Sequence, residues 1–357
     1  MNTQDIALIR LVNQQITRHE FCTPKEVVSW MGAMQAQDFV MAKTAIGKRL
    51  YNVTDAMIQS AFDNGEILRT HVLRPTWHFV VAEDIYWMLA LSGKKIETSL
   101  KKRHAQLHIT EKMITKSSTI MAKVLAGNVH MTREELIGEF EKKDVSCDSY
   151  QMYHMLMLAE LDGAICSGVM KGKKQTYALL KERVKNHKKY SREESLALLA
   201  QRYFTSHGPA TVQDFAWWSW LSLTDAKKSI ALAERSLKSY RVDDITYWSS
   251  ASRDQILSGD TVHLLPAFDE FVISYRNRKI LLKEQENSKV ISSNGIFKPI
   301  VVANGQVIGV WSRSVKRAKI IVRIELFRPM SQKIKNLIAQ EVEAYGRYMN
   351  KIVEMVV

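Results

Sequence analysis

Apolar positions recur at helical spacing over 6–17, 112–126 and 192–206, and each stretch leads, after a break, to a threonine with an acidic residue three positions on. Thr23-Pro24-Lys25-Glu26 and Thr132-Arg133-Glu134-Glu135 predict full capping boxes, in which the hydroxyl accepts the N3 amide and the carboxylate accepts the cap's own N–H. Thr211-Val212-Gln213-Asp214, after the breaker His207-Gly208-Pro209, is the same signal with the shorter Asp. A short helix is expected after each. The second copy continues most legibly. A helix runs from Met131-Thr132-Arg133 to about Lys142, Cys147-Asp148-Ser149 caps again, and 150–161 places Tyr153, Met157 and Leu161 on one face. Segments 164–169 and 174–179 then read as strands joined by the basic turn Met170-Lys171-Gly172-Lys173.

Helix, turn, helix and hairpin is the order of a winged helix. In the first copy the hairpin pairs 66–71 with 76–81 around Leu73-Arg74-Pro75. In the third, 215–220 continues the capped helix, Leu223-Thr224-Asp225 starts another through Arg235, and 240–242 with 245–248 forms the wing. From 261 onward strands dominate, at 262–265, 279–282, 298–302, 307–311 and 320–327, with Asn304-Gly305 as a two-residue hairpin signal. A helix over 331–353 carries Ile334, Leu337, Ile338, Val342, Tyr345 and Met349 on one stripe. The predicted fold is α+β: winged-helix modules at 1–85, 86–190 and 191–260, then a small β subdomain at 261–357 closed by a helix.

Composition narrows the class. Of 357 residues 46% are apolar, with 15 Gly and 6 Pro, which excludes disorder and collagen and leaves two or three packed domains. Cys22, Cys147 and Cys166 are too few and too scattered for a disulfide framework and lack metal-ligand spacing, which fits a reducing cytosol. The start MNTQDIALIR lacks the cationic and apolar regions of an export signal, and no apolar run is long enough to span a membrane.

Charge adds a partner. With 51 Lys and Arg against 37 Asp and Glu the formal charge is +14, which favours an anionic partner: nucleic acid, acidic protein or lipid head group. Residues 171–192 hold nine Lys and Arg against Glu182 alone, so Lys171, Lys173, Lys174, Lys185, Lys188 and Lys189 are candidates for neutralising DNA phosphates, or else solubilise a linker. Arg313, Lys316 and Arg317, beside Lys319, form a second basic group, and Arg276 and Arg278 a third.

Walker loops, dinucleotide glycine fingerprints, Cys/His metal spacing and Gly-x-Ser-x-Gly elbows are all missing, so neither metal nor organic cofactor is expected. What remains is Met34-Gln35-Ala36-Gln37-Asp38, after a break at Gly32. In extended backbone Gln35 and Gln37 project together while Ala36 packs inward. On a helix they diverge by about 200°. Asp38 is a candidate charge stabiliser or proton acceptor, but it faces the other way in extended backbone and better suits a structural role. Arg69, His71 and Arg74 on the first wing are candidate DNA contacts or ordinary hairpin residues, and Trp217, Trp218 and Trp220 read as core rather than as a stacking platform.

The chain resembles the AlkZ-like winged-helix DNA glycosylases. Gln35-Ala36-Gln37 matches the family's Gln-apolar-Gln pair, and 69–78, 206–211, 264–270 and 294–299 are further similar stretches in the same order. The resemblance implies a C-shaped body and excision of alkylated purines from double-stranded DNA, with interstrand cross-links unhooked by some members. It also implies Gln35 and Gln37 as catalytic residues that position water. A cytoplasmic, nucleoid-associated repair hydrolase with no obligate protein partner is thus expected. The alternative is a non-enzymatic winged-helix DNA-binding regulator.

Overall fold

Helix starts fall where the side chains demand them. The computed structural model describes residues 2–251, 256 and 259–356. Thr23, Thr132 and Thr211 each accept the N3 amide while Glu26, Glu135 and Asp214 reach back to the cap, opening helices Pro24–Met31, Arg133–Glu141 and Val212–Ser219. Asp148 caps Ser149–Leu161 in the same way, with Gln151 as its partner. Each cap satisfies donors that a first turn leaves unpaired, worth ~1 kcal/mol apiece.

The helix, helix, hairpin order recurs along the chain. Thr3–Asn13 and Pro24–Met31 precede the antiparallel pair Ile67–His71 and Trp77–Val81. Glu111–Val124, Arg133–Glu141 and Ser149–Leu161 precede Ile165–Ser167 and Thr176–Leu179, and the short strand Met131–Thr132 pairs with the latter. Arg192–Ser206, Val212–Ser219 and Leu223–Leu232 precede Leu237–Val242 and Ile245–Ser250. A five-stranded sheet follows, in the order Ile352–Val356, Lys319–Leu326, Gln306–Val315, Ile300–Ala303, Val262–Leu265. Helix and sheet are thus mixed as the α+β reading expects.

The compact units do not follow the expected module boundaries. Met1–Gln59 folds with Leu196–Val357, and Ser60–Ser195 forms the second unit. In the first, Ile6 packs with Val242 and Tyr247 of the third hairpin, and Gln4 Nε2 donates to the Asn304 carbonyl at 2.6 Å. Gly305 completes that turn at φ +79°, where a Cβ would stand 2.7 Å from Ala7 Cβ. The N-terminal helix is therefore built into the C-terminal half. The second unit buries Leu136, Phe140, Met152, Leu156 and Ile165 together, and Ser167 Oγ accepts the Arg69 amide at 2.8 Å, which joins the first hairpin to the second.

Local expectations also change. Residues 279–282 form a turn instead of a strand, because Leu281 and Leu282 bury without a ladder while Val307 N donates to the Leu281 carbonyl at 2.8 Å. The closing helix ends as Gln332–Tyr348, Asn350 turns at φ +49°, and the β-branched tail Ile352–Val356 runs parallel to Lys319–Leu326. Helices Phe39–Gly47, Asp55–Asp63 and Ile85–Gln106 have no counterpart in the sequence reading. In the first of them every position from Met41 to Ile46 is buried, so no amphipathic stripe announces it. Residues 252–255 and 257–258, where the third module is expected to end, lie outside the described residues. Among those described, no helix is long and apolar enough to cross a membrane.

Burial makes the first unit acid-sensitive. In strand Val262–Leu265, burial pushes the His263 imidazole down to about 4, with Lys48 acting in the same direction and Glu341 opposing. An unfolded imidazole titrates near 6.5, so the native chain binds fewer protons between the two values and loses stability as pH falls through that window. Urea unfolding at pH 7.5 and 4.5 is expected to show a loss that includes roughly 1–3 kcal/mol from this group. His263→Leu should recover that part, and an unchanged acid sensitivity in the variant would contradict it.

Candidate active site

The Gln-Ala-Gln segment is fixed from both sides. Helix Pro24–Met31 stops at Gly32, whose φ of +77° an L side chain rarely adopts. Met34–Gln35 is extended, and Asp38 Oδ1 then accepts the Val40 and Met41 amides at 3.1 and 3.0 Å to cap Phe39–Gly47. Asp38 thus has the structural role expected of it. Between these stops Ala36 is fully buried, Gln35 half-buried and Gln37 exposed, the pattern of extended backbone and not of a helix.

A buried carboxylate holds this segment in place. Glu270 Oε1 accepts the Gln35 amide at 2.6 Å, Oε2 accepts Trp218 Nε1 at 3.2 Å and the Ser274 hydroxyl, and His207 Nε2 lies 3.6 Å from it. Burial lowers the His207 pKa against the pull of Glu270. The neighbouring Asp269 receives both arms of Arg49 at 2.9 Å, and Arg49 also donates to the Ala45 carbonyl at 2.8 Å and to Gln14 Oε1 at 2.9 Å. Two adjacent acids therefore fasten the glutamine strand and the end of the following helix. None of Glu270, Asp269 and Arg49 was picked out individually by sequence reasoning. Segment 264–270 carried the only signal, as a similar stretch, and nothing in local spacing pairs residues more than 200 positions apart.

The basic candidates separate by environment. Lys173, Lys185, Lys188 and Lys189 are exposed, as are Arg276, Lys316 and Arg317. Lys171 and Lys174 are paired with Glu135 at 2.8 Å and Glu134 at 3.5 Å. Such surface pairs are worth about 0–1 kcal/mol and yield readily to a phosphate. Arg313 is half-buried, with its guanidinium against the Tyr345 ring and donating to its hydroxyl; burial lowers its pKa while the nearby Asp38 charge raises it. Arg278 is half-buried too, 5.5 Å from the Trp217 ring centre, with Nε donating to the Val272 carbonyl at 3.0 Å. Trp218 is core as expected, whereas Trp217 is exposed on one side and donates to the Ile273 carbonyl at 2.9 Å.

The first wing needs correction. Arg69 and His71, candidate DNA contacts or ordinary hairpin residues from the sequence, are buried, because every position of Ile67–His71 is covered. The Arg69 guanidinium lies 4.2 Å over the Trp77 ring and donates to Gln175. His71 bridges Glu160 and the Tyr153 hydroxyl, the latter at 3.2 Å, and burial, aided by the Glu160 charge, pushes the Tyr153 phenol up to about 12. Arg74 is half-buried.

Removing the Glu270 carboxylate strands the Gln35 amide, the Trp218 indole and the Ser274 hydroxyl. Glu270→Ala is expected to cost roughly 3–5 kcal/mol in urea unfolding of the first unit. A loss under about 1 kcal/mol would show that the carboxylate is not the anchor.

These positions have relatives. The family model described as DNA glycosylase AlkZ-like matches residues 28–348. A protein of Streptomyces sahachiroi named interstrand DNA cross-link repair glycosylase is 22% identical over 306 residues, covering 80% of this chain and 81% of its own. The solved structure of the Streptomyces sahachiroi DNA glycosylase AlkZ matches along 100% of both chains with a TM-score of 0.81 at 19% identity, which shows a common fold. With its family match running through both compact units, the chain belongs to the AlkZ-like DNA glycosylase family and is a hydrolase of N-glycosyl bonds.

Proposed function

We propose that this glycosylase excises N7-alkylated purines from duplex DNA, with Gln35 and Gln37 positioning the attacking water. The observation that carries the proposal is the non-helical Gln-Ala-Gln segment, extended at Met34–Gln35, preceded by the stop at Gly32, followed by the Asp38 cap and tied at Gln35 to Glu270. Ala36 turns inward and leaves a glutamine on each side of it at the less buried positions.

An N7-alkylated guanine carries a fixed positive charge, so the leaving group needs no general acid. The glycosidic bond electrons pass to N9 and neutralise the ring, the water oxygen bonds to C1′, and the surplus proton passes to solvent. Two neutral amide carbonyls can hold that water and face the developing oxocarbenium charge with oriented dipoles. They are poor bases, so unactivated nucleosides should be spared. The exposed cations Lys173, Lys185, Lys188, Lys189, Arg276, Lys316 and Arg317 supply phosphate contacts. Cross-linked bases join the substrate class by likeness to the cross-link repair relative.

Single-turnover release of N7-methylguanine, scored as abasic sites, tests the reading. Wild type is expected to release the base, while Gln37→Ala and Gln35→Ala slow release by roughly 10²–10³-fold with duplex affinity retained. No release by wild type on several N7-alkyl substrates would refute the substrate class. Unchanged rates in both variants would refute the amide mechanism.

A further inference from the structure

In the first unit a pocket of about 570 Å³ opens between the third hairpin and the turn at 276–282, a size suited to one small organic ligand. Its apolar wall includes Ile245, Tyr247 and Leu282, and its rim carries Arg276 and Lys279 beside the half-buried Arg278. Its acids are already engaged: Asp214 Oδ1 accepts the Arg276 and Asn277 amides at 2.9 and 3.3 Å, and Oδ2 accepts the Thr211 amide at 3.0 Å. Glu284 pairs with Lys279 at 3.1 Å.

Arg10 adds a second observation. It lines the same pocket and its side chain is fully buried, with Nε donating to the Pro209 carbonyl at 2.9 Å and the guanidinium 3.7 Å over the Tyr275 ring. Nη2 lies 3.9 Å from Asp214 Oδ2, beyond hydrogen-bond reach, and Nη1 has no hydrogen-bond partner. Closed to solvent, the Arg10 guanidinium adds positive charge to the pocket wall rather than a donor that a ligand touches. An apolar wall, a cationic rim and a buried guanidinium charge behind them together fit a flat ring that carries a dianion.

We propose that this pocket binds a nucleotide through its phosphate monoester and its base, either free or at the 5′ end of a DNA strand. The phosphate meets Arg276 and Lys279 on the rim, within the field of the buried Arg10 guanidinium, and the base lies against Ile245 and Tyr247. This ligand site is separate from the Gln-Ala-Gln segment, and its test involves no base excision.

Titration calorimetry of the full chain with dAMP, deoxyadenosine and inorganic phosphate tests the site. Saturable dAMP binding is expected, with deoxyadenosine and phosphate each at least tenfold weaker. The surface variants Arg276→Ala/Lys279→Ala and Ile245→Glu, which spare the buried Arg10, are each expected to weaken dAMP at least tenfold. Duplexes ending in 5′-phosphate or 5′-hydroxyl separate the sources: a severalfold preference for phosphate that both variants abolish assigns the pocket to strand ends, and no preference assigns it to the free nucleotide. Absence of saturable dAMP binding, or binding unchanged in both variants, would overturn the proposal.

Discussion

One buried carboxylate organises the candidate site. Glu270 accepts the backbone amide of Gln35 from a position closed to water, and the indole and hydroxyl on its second oxygen leave it little freedom to turn away. A desolvated charge is tolerable only with such partners, so the carboxylate and the strand it holds constrain each other. Asp269 extends the constraint through Arg49 to the end of the following helix. Through these two acids the five-stranded sheet's unit fixes a segment near the other end of the chain.

That arrangement suits the chemistry proposed for it. A neutral amide neither attracts a metal nor takes a proton readily, and its value lies in being held still with its oxygen in the right place. Rigidity here comes from main-chain fastening: a left-handed glycine on one side, an Asp cap on the other and a hydrogen bond to Glu270 between them. In the proposed function DNA affinity rests on a different set of residues, exposed lysines and arginines on turns and wings, which makes binding and bond cleavage separable by substitution.

The sequence disclosed what is local. Capping boxes at Thr23, Thr132 and Thr211, the hairpins that follow and the Asn304-Gly305 turn each depend on a few neighbouring residues and are readable from them. The inward Ala36 was legible for the same reason, because a period of two needs only three residues to show. Burial was harder. Arg69 and His71 read as candidate DNA contacts because their polar side chains are visible in the sequence, whereas the covering of both faces of Ile67–His71 is tertiary. The final strand was hidden because one stripe of apolar residues continues across the turn at Asn350. The acids beneath the glutamines join residues 235 and 220 positions apart, which no local pattern encodes.

The most direct measurement is a crystal structure of the chain bound to duplex DNA containing an azasugar nucleotide, whose ring nitrogen carries the positive charge of the oxocarbenium-like state. The account places the carbonyl oxygens of Gln35 and Gln37 within about 3 Å of one ordered water on the face of C1′ opposite the departed base. Glutamines turned away from the sugar, with the azasugar held by other residues, would contradict it.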